Sequence, residues 1–354
     1  MESNKVLYFY TSWSTFVAKD VEILKSLYSV ILFEFKPVKK SHTPFWFIKQ
    51  CIFMFRHLWG AKLVVSQFGG YHSFLPAVFS KFLAIPSLLV AGGTDCVAFP
   101  SISYGNLRKN TLGHFTKWSH QLSNMVSPVD DTLVFYDYSY KNTGTVHPCQ
   151  GIKAHIPNFN TPFEVIHNGY EDISKGDPFV KTPNTYITIA AGIEQESRYK
   201  LKGVDLFVDL AKQLPGSNFT IIGAKTIPED LPKNVTLIPF VPNNELVQYL
   251  RACQFYVQLS LSEGFPNALC EAMICGCVPV ISNVGAMPKI VEQNGVIVLS
   301  KSVTEIKEGI KKLDQNTLIK MGDSARKSIL TRFPLDQRKK QLLILVNKLI
   351  TKQA

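Results

Sequence analysis

Short β-rich runs alternate with helical patterns along the whole chain, and this alternation constrains the fold more than any other feature. Apolar, β-branched stretches occur at residues 6–10, 30–35 and 63–66, separated by amphipathic segments. The pattern restarts after residue 180, with runs at 186–190, 219–222, 235–237, 255–259 and 278–282 and a helical segment near 204–214. Strands that alternate with helices pair in parallel, because a parallel neighbour needs the long crossover that a helix supplies. Two such series predict two doubly wound α/β domains. The length of 354 residues agrees, since one domain usually takes about 100–200 residues.

Residues 147–183 are rich in Pro, Gly and Asn, interrupted by a strand-like run at 163–166, and the boundary is expected near residues 169–177. The chain therefore divides into an N-terminal domain at 1–172, a C-terminal domain at 173–333 and a closing segment at 334–354. In that last segment Leu335, Leu342, Leu343, Val346, Leu349 and Ile350 form the apolar stripe of a helix packed on a domain surface.

Apolar residues make up 46% and charged residues 18% of the chain, so both domains can bury a full core without disulfide or metal staples. The seven cysteines, scattered from Cys51 to Cys277, lack framework spacing and point to a reducing compartment. The first residues run into a strand pattern without the layout of a signal peptide. No uncharged apolar run reaches the roughly 18 residues a membrane-spanning helix needs. The expected location is cytoplasmic, with any membrane contact peripheral, on the inner face. A formal charge of +11 favours anionic partners. Its Lys and Arg are dispersed and form no nucleic-acid module, so nucleic acid is not an expected partner.

The chemistry is concentrated in residues 260–273, which follow the strand pattern at 255–259 and include Glu263, Gly264, Phe265, Pro266, Asn267 and Glu271. Ligands of open α/β sheets bind at the C-terminal ends of strands. Pro266 suits the first turn of a helix and Gly264 lets a ligand approach the backbone. The helix start then offers free N–H groups to an anion such as a diphosphate. Glu263 and Glu271 can accept hydrogen bonds from sugar and ribose hydroxyls; an isolated pair of glutamates would more simply cap and solvate a helix.

The Glu-x7-Glu spacing from Glu263 to Glu271, with Gly-Phe-Pro-Asn and Glu-Ala-Met around it, resembles family 4 glycosyltransferases. Lys202-Gly203-Val204-Asp205, Gly192, Ile222-Gly223, the run 278–282 and the junction stretch Val165 to Tyr170 extend the resemblance. It implies a GT-B architecture of two facing Rossmann-like domains and a retaining transfer from a nucleoside-diphosphate sugar. By the same resemblance Glu263 contacts the donor sugar, Glu271 the ribose, Lys202 the phosphates, and the amides of Phe265 to Asn267 the sugar and diphosphate. The family often has Arg after the loop glycine Gly192; here Ile193 stands there, leaving Arg198 or Lys200 as substitutes. The acceptor is expected to be a glycan or lipid-linked glycan, as in surface polysaccharide or lipid-linked oligosaccharide synthesis.

The N-terminal half matches more loosely. Gly92-Gly93-Thr94-Asp95 resembles a His-Gly-Thr-Asp segment of some members, with Gly92 in place of the His. Asp95 is then the catalytic candidate of that segment, or an Asx-type turn residue. Gly69 and Gly70 follow the run at 63–66 and could set His72 in an acceptor cleft, or His72 could be structural. No Asp-x-Asp triplet occurs, so no metal cofactor is expected and cations with a helix N-terminus would stabilise the leaving diphosphate. The absence of Gly-x-Gly-x-x-Gly and Walker loops argues against dinucleotide oxidoreductases and P-loop kinases. Cys270, Cys275 and Cys277 fit no zinc spacing and read as packing residues. The rival functions are a sugar-nucleotide epimerase and a non-catalytic donor-binding subunit.

Residues 44–59 form a second notable segment, a helix with Thr43 as cap and Pro44 at its start. Its residues are apolar except for Lys49, Gln50, Arg56 and His57 after Pro44, which make one polar stripe. Core packing with cleft lining is the ordinary reading. The aromatic residues beside Lys39 and Lys40 also suit an anionic membrane surface.

Overall fold

A computed structural model describes residues 4–140, 149–174 and 180–352. The N-terminal half runs β1 (Lys5–Tyr10), α1 (Thr15–Lys25), β2 (Ser29–Glu34), α2 (Thr43–His57), β3 (Ala61–Gln67), α3 (Tyr71–Phe82), β4 (Ser87–Ala91), α4 (Asn110–Leu122), β5 (Met125–Pro128) and α5 (Ile152–His155). Its five strands are parallel in the order β2-β1-β3-β4-β5. The C-terminal half begins with β6 (Thr182–Ile189), α6 (Glu196–Leu201), α7 (Val204–Gln213), β7 (Asn218–Ile222), β8 (Val235–Ile238) and α8 (Asn243–Ala252). It continues with β9 (Cys253–Gln258), α9 (Asn267–Ile274), β10 (Val278–Ser282), α10 (Met287–Val291), β11 (Val296–Val298), α11 (Val303–Lys311) and α12 (Gln315–Arg332). Its six strands are also parallel, in the order β11-β10-β9-β6-β7-β8. The two doubly wound halves expected from the alternation are both present.

The strand-like run at 163–166 forms no full strand but extends along β5, where the Glu164 and Ile166 amides donate to the Val126 and Pro128 carbonyls. The chain crosses between the halves here; part of the expected boundary, residues 175–179, lies outside the described residues.

The closing helix α13 (Leu335–Thr351) does not stay with the half that precedes it. It returns to the N-terminal half and packs on α1 and β3. Arg338 anchors it. Its guanidinium donates to Asp20 of α1 at 2.9 and 2.8 Å and to the carbonyls of Ile166 and His167 at 3.0 and 2.8 Å. Both members of the ion pair are buried. Burial raises the Asp20 pKa, against the opposing pull of Arg338. The two crossings are stitched together, since the Tyr170 amide donates to Phe333 and the Leu335 amide to Tyr170.

Helix α2 corrects the core expectation for residues 44–59. Among its residues only Gln50 and Met54 are buried. Met54 and Leu58 join a small cluster with Leu7, Phe9 and Val64, and that narrow line of contact satisfies the sheet. The apolar arc is wider than the contact, so Phe45, Ile48, Ile52 and Phe55 stand in solvent, followed by Trp59 at 92% exposure. Gln50, expected on the polar stripe, points inward and donates to the His72 carbonyl at 2.6 Å.

Candidate active site

The loop between β9 and α9 carries Glu263, and the turn between α6 and α7 carries Lys202. Lys202 Nζ donates to Glu263 Oε1 at 2.7 Å. Burial acts to lower the Lys202 pKa, but the charge and hydrogen bond of Glu263 outweigh it and the net shift is upward. Gly203 makes the approach possible. Its φ is +66°, and a Cβ there would lie 2.0 Å from the Leu259 carbonyl oxygen. The Glu263 side chain is only 12% exposed, so the loop mouth is more enclosed than a solvent-facing one.

Helix α9 follows at Asn267, with Pro266 at the N-cap, one place earlier than expected, and no side-chain cap on its first N–H groups. Phe265 is buried in the junction, its ring centroid 5.4 Å from that of His167 and 5.1 Å from that of Phe333. Asn267 Oδ1 accepts from Tyr170 Oη at 2.7 Å and Asn168 Nδ2 at 3.2 Å. The junction stretch and the glutamate segment, about a hundred residues apart in sequence, are therefore one packed unit. Gly264 is one of the places where the halves touch: a Cβ there would meet the Gly92 carbonyl oxygen at 2.4 Å.

Glu271 lies one helical turn into α9 and is partly buried, with Lys19 of α1 as its charged neighbour. Burial pushes its carboxyl up to about 7, against the opposing pull of Lys19. Lys19 is itself held by the Gly169 carbonyl at 3.0 Å. Of the two substitutes for the missing Arg, Arg198 faces the cleft and lies against Gly192. Lys200 instead pairs with Glu196 at 2.6 Å on an exposed flank.

The N-terminal candidates take structural places. Asp95 is fully buried, and its carboxylate accepts from the amides of Gly69, Gly92 and Gly93 at 2.8, 3.2 and 3.1 Å. This is the turn-residue alternative, and it corrects the catalytic one: Asp95 shapes the loop that meets Gly264 rather than opening on the cleft. His72 is likewise buried, bonded through Nε2 to the Gln67 carbonyl at 2.6 Å, so it does not line an acceptor cleft. Gly69 and Gly70 serve the same packing, Gly69 through Asp95 and Gly70 through Ser73 at 2.8 Å. Asp95, Cys96 and His120 stand close enough to hold a metal ion. The backbone amides already occupy the carboxylate, and burial with the Asp95 charge raises the Cys96 thiol well above its usual value. Cys270, Cys275 and Cys277 are fully buried in the C-terminal core.

The place left by the missing His is filled. Phe68 adopts φ +67° and lays its ring where a side chain at position 92 would project, 1.8 Å from a Cβ there. Phe16 of α1 packs beside it at 5.3 Å between centroids. Between the halves lies a cavity of about 430 Å³, lined by Tyr104, Asn106 and Lys109 on one wall and Gln195, Arg198 and Lys202 on the other. Tyr104, Lys109, Lys19 and Phe68 escaped the sequence reading, because each acquires its place only through contacts distant in sequence.

The family described as Glycosyl transferases group 1 matches residues 195–328, the segment that contains Lys202, Glu263 and Glu271. An uncharacterised glycosyltransferase of Methanocaldococcus jannaschii is 31% identical over 125 residues, 32% of this chain and 35% of that protein. One of the subunits of the human phosphatidylinositol N-acetylglucosaminyltransferase is 27% identical over 149 residues, 38% of this chain and 30% of that protein. The matches thus span about a third of these relatives' own length. Sucrose-phosphate synthase from Thermosynechococcus elongatus superposes with a TM-score of 0.73 at 13% identity, over 99% of this chain and 100% of that one. HepE from Anabaena in complex with UDP-glucose gives 0.69 at 14% identity, over 97% and 99%. The fold is that of the GT-B glycosyltransferases, and residues 195–328 are similar to the group 1 family.

Proposed function

We infer that this chain moves a sugar from a nucleoside-diphosphate sugar to an acceptor hydroxyl, as a retaining glycosyltransferase of family 4. The observation that carries this reading is the Lys202–Glu263 pair beside the uncapped start of α9, at an interdomain cavity that also receives Arg198. Donor binding to HepE, the glycosyltransferase activities named for the relatives and the Glu-x7-Glu resemblance support it. Glu263 would take the donor sugar, Glu271 the ribose, and Lys202 with Arg198 the diphosphate. In a retaining transfer the diphosphate leaves on the face from which the acceptor attacks, and the cations with the helix dipole stabilise its developing charge.

Turnover of a panel of nucleotide sugars, with and without glycan acceptors, tests the reading and separates transfer from epimerisation. Turnover is expected to survive exhaustive chelation, since side-chain cations face the diphosphate. Complete loss with EDTA, restored by a divalent ion, would overturn that part. Donor affinity should also rise with pH. Glu271 ionises near pH 7, and its carboxylate is the better acceptor for a hydroxyl. Affinity should therefore grow by up to about tenfold between pH 6 and 8 if only the ionised form binds. Glu271→Gln should flatten that profile, and a flat wild-type profile would remove Glu271 from the ribose contact.

The exposed face of α2 supports a lipid-linked acceptor met at an anionic bilayer. Phe45, Ile48, Ile52, Phe55 and Trp59 recur at intervals of three and four and form one solvent-facing stripe. Exposed Phe82 and Leu83 at the end of α3 lie on the neighbouring element. Lys39, Lys40, Lys49 and Arg56 surround the stripe, and α2 contains no acidic residue. Among the described residues no helix is long and apolar enough to cross a membrane. An apolar face rimmed by cations suits shallow insertion among anionic headgroups. The protein should float with anionic liposomes at low salt, and replacing those four cations with Gln should weaken recovery. A wild type that stays at the bottom of the gradient would refute the docking.

A further inference from the structure

Phe68, directly after β3, is a bulky aromatic residue in the left-handed region of backbone space, at φ +67°. Glycine fits that conformation and a large side chain rarely adopts it, so the contacts of the ring must offset the strain. The ring is not sunk in the core: Phe68 and Phe16, 5.3 Å apart between centroids, are both half-buried. Two contacts between the halves bracket this pair. On one side the Phe68 ring lies against Gly92, whose carbonyl oxygen is the atom a Cβ at Gly264 would meet. On the other, Thr15, next to Phe16, accepts from Asn267 Nδ2 at 3.5 Å. The two rings therefore stand in the N-terminal half across from residues 264–267, the stretch that follows Glu263 and opens α9. The polar side chains of the neighbouring loops are already engaged, Asp95 by three amides and His72 by the Gln67 carbonyl. What the aromatic pair offers is apolar surface without a hydrogen-bonding group.

Resting on the reading that Glu263 and the start of α9 hold the donor sugar, we propose that Phe68, backed by Phe16, is a specificity-determining residue. It selects a donor sugar with a methyl group in place of the exocyclic hydroxymethyl, a 6-deoxyhexose. A hydroxymethyl set against the rings would leave its hydroxyl without the partner it has in water. A methyl has no such partner to lose, and it removes apolar area from water. The discrimination is bounded, since an apolar wall rejects an added hydroxyl by about 100-fold.

The test is calorimetry on the full chain with matched donors that differ only at that carbon: UDP-6-deoxyglucose against UDP-glucose, and GDP-6-deoxymannose against GDP-mannose. In the series whose base the protein accepts, the deoxy member should bind about 10- to 100-fold more tightly. Phe68→Gly suits the backbone conformation and should keep the wild-type urea midpoint. It should bring the two members within about threefold of each other and leave the affinity for UDP or GDP alone within about twofold, since the wall it removes touches only the sugar. A merely structural role for Phe68 would instead weaken nucleotide and nucleotide sugar together. Should Phe68→Gly fail to fold, Phe68→Tyr takes its place: the new hydroxyl gives the hydroxymethyl a partner and should shift the preference toward UDP-glucose or GDP-mannose. Equal wild-type affinity for both members of a pair would overturn the proposal, as would a preference that the variants leave intact. Binding of neither member of either pair would overturn the donor reading itself, a result distinct from binding without preference.

Discussion

Replacing Arg338 with Ala is expected to destabilise the protein by about 3–5 kcal/mol, because it strands the buried Asp20 carboxylate without a partner. The guanidinium makes two bonds to Asp20 and two to junction carbonyls, all at 3.0 Å or less. Every one of those acceptors would lose its donor. Urea unfolding measures the loss. Asp20→Ala should cost a similar amount, since the cation would then be left unpaired. The double replacement with Leu at 20 and Met at 338 should recover much of it, because well-packed apolar pairs often equal or exceed a buried ion pair. An Arg338→Ala midpoint equal to that of the wild type would show that the pair does not hold α13 to the N-terminal half.

Glu263→Gln should reduce transfer by about 10- to 150-fold, the equivalent of about 1.5–3 kcal/mol for a charged hydrogen bond realised at the donor. The fold should survive. The Lys202 side chain it leaves behind is 34% exposed and can regain water, unlike the stranded Asp20. Near-wild-type turnover in Glu263→Gln, with normal urea stability, would remove Glu263 from the site. A drop in stability equal to the drop in activity would instead assign the Lys202–Glu263 pair to holding two loops together.

The parallel sheets were legible because their apolar runs are local and periodic, and the segment from Glu263 to Glu271 was legible because one strand end, one turn and one helix start are consecutive in the chain. Where a reading needed a side chain's surroundings, sequence order was a poor guide. Asp95 and His72 are cleft candidates by sequence, but backbone amides hold the Asp95 carboxylate and the Gln67 carbonyl holds the His72 ring. The choice between Arg198 and Lys200 turned on two residues of helical rotation, which send one into the cavity and the other to Glu196. The composition of residues 44–59 suits a core helix, yet burial is decided by how much sheet they have to cover, and here there is little.

The return of α13 also imposes an order on folding. Domains of a growing chain generally fold as units from the N-terminus, but here the first half to emerge contains Asp20, whose buried partner lies 318 residues downstream. Until α13 is made, β3 lacks one of the two helices that pack on it and the Asp20 carboxylate has no guanidinium to meet. The C-terminal half, by contrast, is complete in sequence at α12. On the growing chain the second half should therefore reach its native state first, and the first half should close last, around the helix that completes it.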